Sequence, residues 1–223
     1  MRKIVLFDID FTLFNSKFYR QKFTKQIQDL VQYRGDDFSQ IAEEAYQELR
    51  QNLAYFDPQL YSEKLSQKLG ISVDGKKVEQ IVLNEELMEE SLYEDTVEVL
   101  DFLAKQPNLT LGIFSAGLLQ AQLSKVKKLE NFFHKDHIHI FEFKKHHALV
   151  ELLQKYPEES VVMVDDMMHI LYEAKLIRPT MHTVWIRRPE RSFQDSHIDN
   201  FQPDSIIRSL RELIPIIVQE KSI

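Results

Sequence analysis

Ile4, Val5, Leu6 and Phe7 are four consecutive apolar residues, and two carboxylates follow them, Asp8 and Asp10. A short run with β-branched and aromatic members predicts a strand covered on both faces. After Leu13 the period becomes helical. Asn15 or Ser16 caps a segment with Phe18, Tyr19, Phe23, Ile27, Leu30 and Val31 on one side, stopped by Gly35. Asp36 and Asp37 open a second helix, whose stripe is Phe38, Ile41, Ala42, Ala45, Tyr46, Leu49 and Leu53. Asp57-Pro58, a cap followed by proline at the first helical position, starts a third that ends at Gly70. Asp74 starts a fourth, carrying Val78, Ile81, Val82, Leu87 and Met88. Residues 15–92 therefore predict four amphipathic helices and no strand. Their aromatics (Phe18, Tyr19, Phe23, Tyr46, Tyr55, Phe56 and Tyr61) are expected in the core of a small bundle.

From Tyr93 strands and helices alternate. A helix over Val97 to Ala104 ends at Pro107, and Leu109 to Phe114 is a strand leading into Ser115-Ala116-Gly117. His137 to Phe143 is a short strand, and Val161 to Val164 is a fully buried one that runs into Asp165-Asp166. Thr183 to Ile186 reads as the last strand, and the tail with Ile206, Ile207, Leu210 and Leu213 as a helix bent or broken at Pro215. This rhythm predicts an α/β fold: a Rossmann-like parallel sheet with helices on both faces, plus a small all-helical cap domain. The core takes residues 1–14 and 93–223, and the cap is an insertion of residues 15–92 over the C-terminal edge of the sheet, a place where small units act as lids.

Composition narrows the chemistry. The chain has 223 residues, 43% of them apolar, and 28 basic residues against 35 acidic ones give a net charge of −7. The acidic balance argues against nucleic acid as a partner. With no cysteine, thiolate catalysis and Cys-type zinc sites are excluded. Only 5 glycines leave no Gly-rich nucleotide loop. No apolar run is long enough for a signal-peptide core or a membrane span, so a soluble cytoplasmic protein is expected.

In a parallel sheet the C-terminal strand ends emerge on one edge. Here they carry Asp8 and Asp10, then Ser115, then Lys144 and Lys145, then Asp165 and Asp166. Buried carboxylates need a partner, so these acids either meet a cation or reacting group or serve as turn and cap residues. Paired acids suit a hard cation such as Mg²⁺, while a hydroxyl and an ammonium suit phosphate oxygens. Acids, hydroxyl and lysine together describe a phosphoryl-transfer site. Spacing does not decide between Lys144 and Lys145. Arg187, Arg188 and Arg191 read as a solvated loop, and His134, His137, His139, His146 and His147 as surface or loop residues.

In this order the set resembles the haloacid dehalogenase-like superfamily, and within it the phosphatases with a helical cap inserted after the first strand. The carrying residues are Asp8-Ile9-Asp10-Phe11-Thr12-Leu13, Ile113 to Gly117, a lysine at 144 or 145, and Val164-Asp165-Asp166, with Ala174 eight residues further on. The resemblance implies Mg²⁺-dependent hydrolysis of a small phosphomonoester through an aspartyl-phosphate on Asp8, with Asp10 as general acid and base. It implies a cation held by the Asp8 carboxylate, the Asp10 carbonyl and Asp166. Ser115 and the lysine would bind the phosphoryl group, and the Thr12 hydroxyl would fix the loop after the strand. Phe11 stands where the family usually has Gly, and is expected to shape the substrate pocket or lean on the cap. Asp165 stands where Gly is common, as an outer-shell acid or a helix cap. A phosphomutase or a non-catalytic phosphate-binding module are the alternatives. Dehalogenation needs neither a metal nor Asp10. Neither the substrate nor the oligomeric state follows from these residues.

Overall fold

The structure, a computed structural model, describes residues 3–53, 55–142, 145–157, 160–191 and 197–218. Six strands form one sheet: β1 (Lys3–Phe7), β2 (Leu109–Ala116), β3 (Ile138–Phe141), β4 (Ser160–Asp165), β5 (His182–Ile186) and β6 (Ser205–Ile207). All neighbours are parallel, in the order β3-β2-β1-β4-β5-β6. The chain moves outward from β1 through β2 to β3, then returns to the other side of β1 with β4. The strand order thus reverses between β1 and β4, where open α/β sheets bind ligands beyond their carboxyl ends.

Alternation along β1 explains its continuous apolar run. Val5 and Phe7 face one layer, with Val99, Leu100, Leu103, Leu210 and Leu213. Ile4 and Leu6 face the other, with Leu149 and Leu152 of α8 (Leu149–Gln154) and with Leu171 and Ala174. Gly112 in β2 permits a close approach, because a Cβ there would lie 2.5 Å from the His137 carbonyl oxygen.

Between β1 and β2 the chain is helical: α1 (Ser16–Leu30), α2 (Phe38–Asn52), α3 (Pro58–Leu69), α4 (Gly75–Val82), α5 (Glu85–Glu90) and α6 (Thr96–Ala104). Asn15 caps α1, Asp57 caps α3 and Asp74 caps α4 with side-chain oxygens, and Gly70 ends α3 in the left-handed region at φ 65. The expected single fourth helix is two, since Asn84 accepts a hydrogen bond from the Leu87 N–H and restarts the chain as α5. The two crossings between this helical segment and the sheet run side by side. Asn15 donates to the Ser91 carbonyl at 2.7 Å, Tyr93 donates to the Leu13 carbonyl at 3.0 Å, and Phe14 bridges Leu92.

Two further expectations are corrected. The last strand is β6 rather than β5. Ile207 is buried and Ile206 is 54% exposed, an alternation that a three-residue stretch shares with a helical face. Pro215 does not break the tail helix. It sits in the first turn of α10 (Leu213–Val218), where a missing N–H costs no hydrogen bond. The third strand spans Ile138–Phe141, and Phe143 lies outside the described residues. No helix among the described residues is long and apolar enough to cross a membrane.

Candidate active site

Register places the polar residues. Phe7 is level with Ile113 and Val164, and the Asp8 N–H donates to the Val164 carbonyl at 2.9 Å. Asp8 and Asp165 therefore emerge one step beyond the last apolar pair, and Ser115 two steps beyond it on the neighbouring strand. The Asp8 carboxylate accepts from the Ser115 hydroxyl at 2.8 Å and from the Lys145 ammonium at 2.7 Å. Lys145, from a short 3₁₀ turn, also reaches Asp165 at 2.7 Å. The other Asp165 oxygen accepts from the Met167 N–H at 2.8 Å and fixes the turn into α9 (Met168–Ile177). Asp165 thus pairs with Lys145 beside Asp8 and closes the turn before α9, while the helix cap position itself is Met167, which makes no side-chain cap bond. Lys144 lies outside the described residues.

Asp8, Asp165 and Asp166 are all buried, and each offers a carboxylate oxygen within 4.8 Å of the others. Among the described residues the Asp166 carboxylate receives no hydrogen bond, although Arg191 forms an ion pair with it. A buried carboxylate without a hydrogen-bond donor is costly unless a cation compensates it. The all-oxygen donor set fits a hard divalent ion.

Asp10 points elsewhere. Its carboxylate receives the Lys125 ammonium at 2.7 and 2.9 Å, the Gln122 amide at 3.0 Å, and the Ser16 hydroxyl. The side chain of Asp10 is thus not part of the acidic triad. Gln122 also donates to the Ser115 hydroxyl at 2.9 Å and to the Ala116 carbonyl at 3.0 Å, tying α7 (Leu119–Lys125) to the end of β2. Gly117, at φ 152, makes room: a Cβ there would meet the Gln122 side chain at 2.8 Å.

These surroundings split the two acids. Burial raises Asp8, Lys145 opposes, and the nearby Asp165 and Asp10 charges add to burial, leaving it at about 6. Burial also pushes Asp10 upward, but the Lys125 charge and the hydrogen bonds from Lys125, Ser16 and Gln122 outweigh it and hold Asp10 at about 2. Burial pulls Lys145 downward, and the Asp165 and Asp8 charges more than reverse this.

The carboxylates open into a cavity of about 640 Å³ that runs from the strand ends to α1, α2 and α4. Phe11 borders it in the left-handed region at φ 57, a conformation that is strained for a bulky side chain and often kept at functional sites. Its ring lies 5.1 Å from the Arg191 guanidinium.

A family model described as a haloacid dehalogenase-like hydrolase matches residues 2–168. The chain belongs to this family. Solved structures repeat its fold. A haloacid dehalogenase-like hydrolase from Burkholderia xenovorans LB400 has a TM-score of 0.78 at 18% identity, over 98% of this chain and 97% of that one. The HAD-hydrolase YfnB from Bacillus subtilis, solved bound to magnesium, has a TM-score of 0.68 at 17% identity, over 97% and 99%. The L-2-haloacid dehalogenase from Xanthobacter autotrophicus, with chloropropionic acid covalently bound, has a TM-score of 0.64 at 20% identity, over 100% of both chains. No curated protein matches the chain.

In this HAD-like hydrolase several residues near the acids escaped the sequence pattern. Lys125 and Gln122 are polar positions on a helix, and nothing in the sequence distinguishes them from a solvated face. The arginines after β5 are not a solvated loop. Arg191 reaches Asp166, and Arg188 is buried, forks onto Asp95 at 2.8 and 2.9 Å, and donates to the Thr12 carbonyl at 2.9 Å. The loop after β1 is held through that carbonyl. Among the described residues the Thr12 hydroxyl has no hydrogen-bond partner. His139 is also buried, and the Tyr156 hydroxyl lies 2.6 Å from its Nε2 and 2.9 Å from Nδ1 of His137.

Proposed function

We propose that this hydrolase is a Mg²⁺-dependent cytoplasmic phosphatase that cleaves a small phosphomonoester through an aspartyl-phosphate on Asp8. One observation carries the reading: Asp8, Asp165 and Asp166 share one buried site, while Lys145 and Ser115 both touch Asp8. Four carboxylates here face three cations, Lys125, Lys145 and Arg191. A divalent ion turns that excess of one negative charge into an excess of one positive charge, which suits an arriving phosphoryl dianion.

In this reading an Asp8 carboxylate oxygen bonds to phosphorus as the ester oxygen leaves. Lys145 and Ser115 orient Asp8 and meet the phosphoryl oxygens. Asp10 gives its proton to the departing oxygen, then accepts one from the water that releases inorganic phosphate and restores Asp8. Lys125 keeps the resting Asp10 ionised. A phosphoryl dianion close by draws that ammonium toward itself and raises the proton affinity of Asp10, which takes up a proton from solvent as the ester binds and returns one to solvent after inorganic phosphate leaves. Asp8, Asp166 and the Asp10 carbonyl would hold the Mg²⁺, with Asp165 beside them. When bound, the ion offsets the repulsion between Asp8 and the phosphoryl group. Residues 15–92 serve as the cap and residues 1–14 with 93–223 as the core, joined at the paired crossings near Phe14 and Leu92.

A dehalogenase, in which Asp8 attacks carbon, is favoured by the Arg191 contact on Asp166 and by the dehalogenases among the structures of similar fold. Asp10 and a 640 Å³ cavity, far larger than a haloacid of two or three carbons requires, favour the phosphatase. Phosphate release from a panel of phosphometabolites, with chloride release from 2-chloropropionate in parallel, separates the two. The phosphatase reading expects Asp8-dependent phosphate release that EDTA abolishes. Chloride release unaffected by EDTA would replace it.

A further inference from the structure

The cap side of the cavity is rich in aromatic rings. Tyr46 from α2, with Tyr55 and Phe56 from the connection to α3, line it half-buried, while Tyr19, Phe23 and Tyr61 behind them are buried. Phe56, and Tyr46 through it, rest on the buried aromatic layer. Phe56 stacks on Tyr46 at 5.8 Å between centroids and 29° between planes, and contacts Tyr61 at 5.0 Å and Phe23 at 5.8 Å. Leu53 and Leu83, from two inter-helix connections, border the same space. The Arg20 guanidinium lies over the Tyr46 ring at 4.6 Å and pairs with Glu43 at 3.6 Å, so its charge is answered within the cap.

Loop residues of a cap cost least when polar, and apolar rings held open toward a cavity lose free energy unless a ligand covers them. Rings already fixed by neighbours lose little entropy on binding a flat partner. We infer that the alcohol part of the substrate carries an aromatic or similarly flat apolar group, seated against Tyr46, Tyr55 and Phe56 while the phosphoryl group meets Asp8. This inference rests on the phosphatase reading and names the class of ester. A cavity of this volume encloses a ligand of drug-like size, and the charged end at the strand edge fixes its direction.

The test compares 3-phenylpropyl phosphate with propyl phosphate, two primary alkyl esters of matched leaving-group chemistry, in the presence of Mg²⁺. The expected result is a preference in kcat/KM of about tenfold or more for the phenyl ester, as burial of one ring implies. Phe56→Ala narrows that ratio by raising KM for the phenyl ester. Tyr55→Ser, which removes a ring with no ring partner among the contacts above, narrows it too and stands in should Phe56→Ala not fold. Equal kcat/KM for both esters, or variants that leave the ratio unchanged, overturn the inference while the phosphatase reading stands. If wild type hydrolyses neither ester, calorimetry on Asp8→Asn decides the pocket separately: tighter binding of the phenyl ester by about tenfold supports it, and equal binding rejects it.

Discussion

At the scale of single residues, two buried groups titrate in opposite senses over one pH window. Asp8 is raised from 3.8 to about 6, so the folded protein holds its proton more tightly than the unfolded chain does. That contribution stabilises at low pH and is lost as pH rises through the window. His139 is lowered from 6.5 to about 4, first by burial and then by the nearby Lys155 and His137 charges. Its contribution is present above pH 6.5 and is lost as pH falls toward 4. Each amounts to at most about 3 kcal/mol, and together they nearly cancel. Denaturant titrations in EDTA are expected to give a shallow profile between pH 4 and 6.5 for wild type, tilted toward higher stability at higher pH by His169, which burial also lowers. Asp8→Asn is expected to gain stability with rising pH, and His139→Asn to lose it. Parallel profiles for all three proteins would remove the argument. Asp8→Asn is also expected to lose the proposed phosphatase activity without loss of stability at pH 7, since it relieves a crowd of like charges.

At the scale of elements, the junction between the loop after β1, the start of α6 and the end of β5 is a buried ionic knot. Asp95 accepts both Arg188 nitrogens, the Ser209 hydroxyl at 2.7 Å and the Leu210 N–H at 2.8 Å, while Arg188 lies 3.9 Å from the Tyr93 ring centroid and holds the Thr12 carbonyl. Removing one partner leaves an uncompensated buried charge, so Arg188→Leu is expected to cost about 3–5 kcal/mol in urea unfolding. Replacing both, with Asp95→Leu added, is expected to recover much of that loss. Additive losses would mean that the pair itself is not what matters. The same junction shows why some elements were hard to read. Arg188 and Arg191 sit three residues apart in one polar stretch, and one is structural while the other meets the acids. A stretch of three residues such as β6 is too short to display a period.

At the scale of the whole molecule, the helical segment between β1 and β2 meets the rest of the chain at the paired crossings Leu13–Asn15 and Ser91–Tyr93, at the ion pairs Lys127–Glu85 and Lys128–Glu89, and across the cavity. The site is therefore assembled from segments more than 150 residues apart, Asp8 and Asp166 among them. A cation that binds the folded chain alone raises its stability by mass action, by about 2.7 kcal/mol at a hundredfold excess over Kd. Mg²⁺ is accordingly expected to raise the Tm of wild type and to have a much smaller effect on Asp166→Asn. Equal shifts in the two would place the cation elsewhere.

The sequence alone was enough for the alternating strands and helices, the parallel α/β core, and the gathering of Asp8, Ser115 and Asp165 beyond the strands, because these follow from period and from the cost of burying charge; it left the lysine open between 144 and 145. Both ends of α3 and the start of α4 were equally legible, since Asp57, Gly70 and Asp74 act on neighbouring backbone groups. Tertiary structure alone decided that Lys125 and Gln122 hold Asp10, that Arg191 reaches Asp166, that His139 is buried, and that Tyr55 and Phe56 face a cavity. A polar or aromatic side chain has the same local pattern whether it meets water, a carboxylate or a ligand, and only the packing of distant segments settles which.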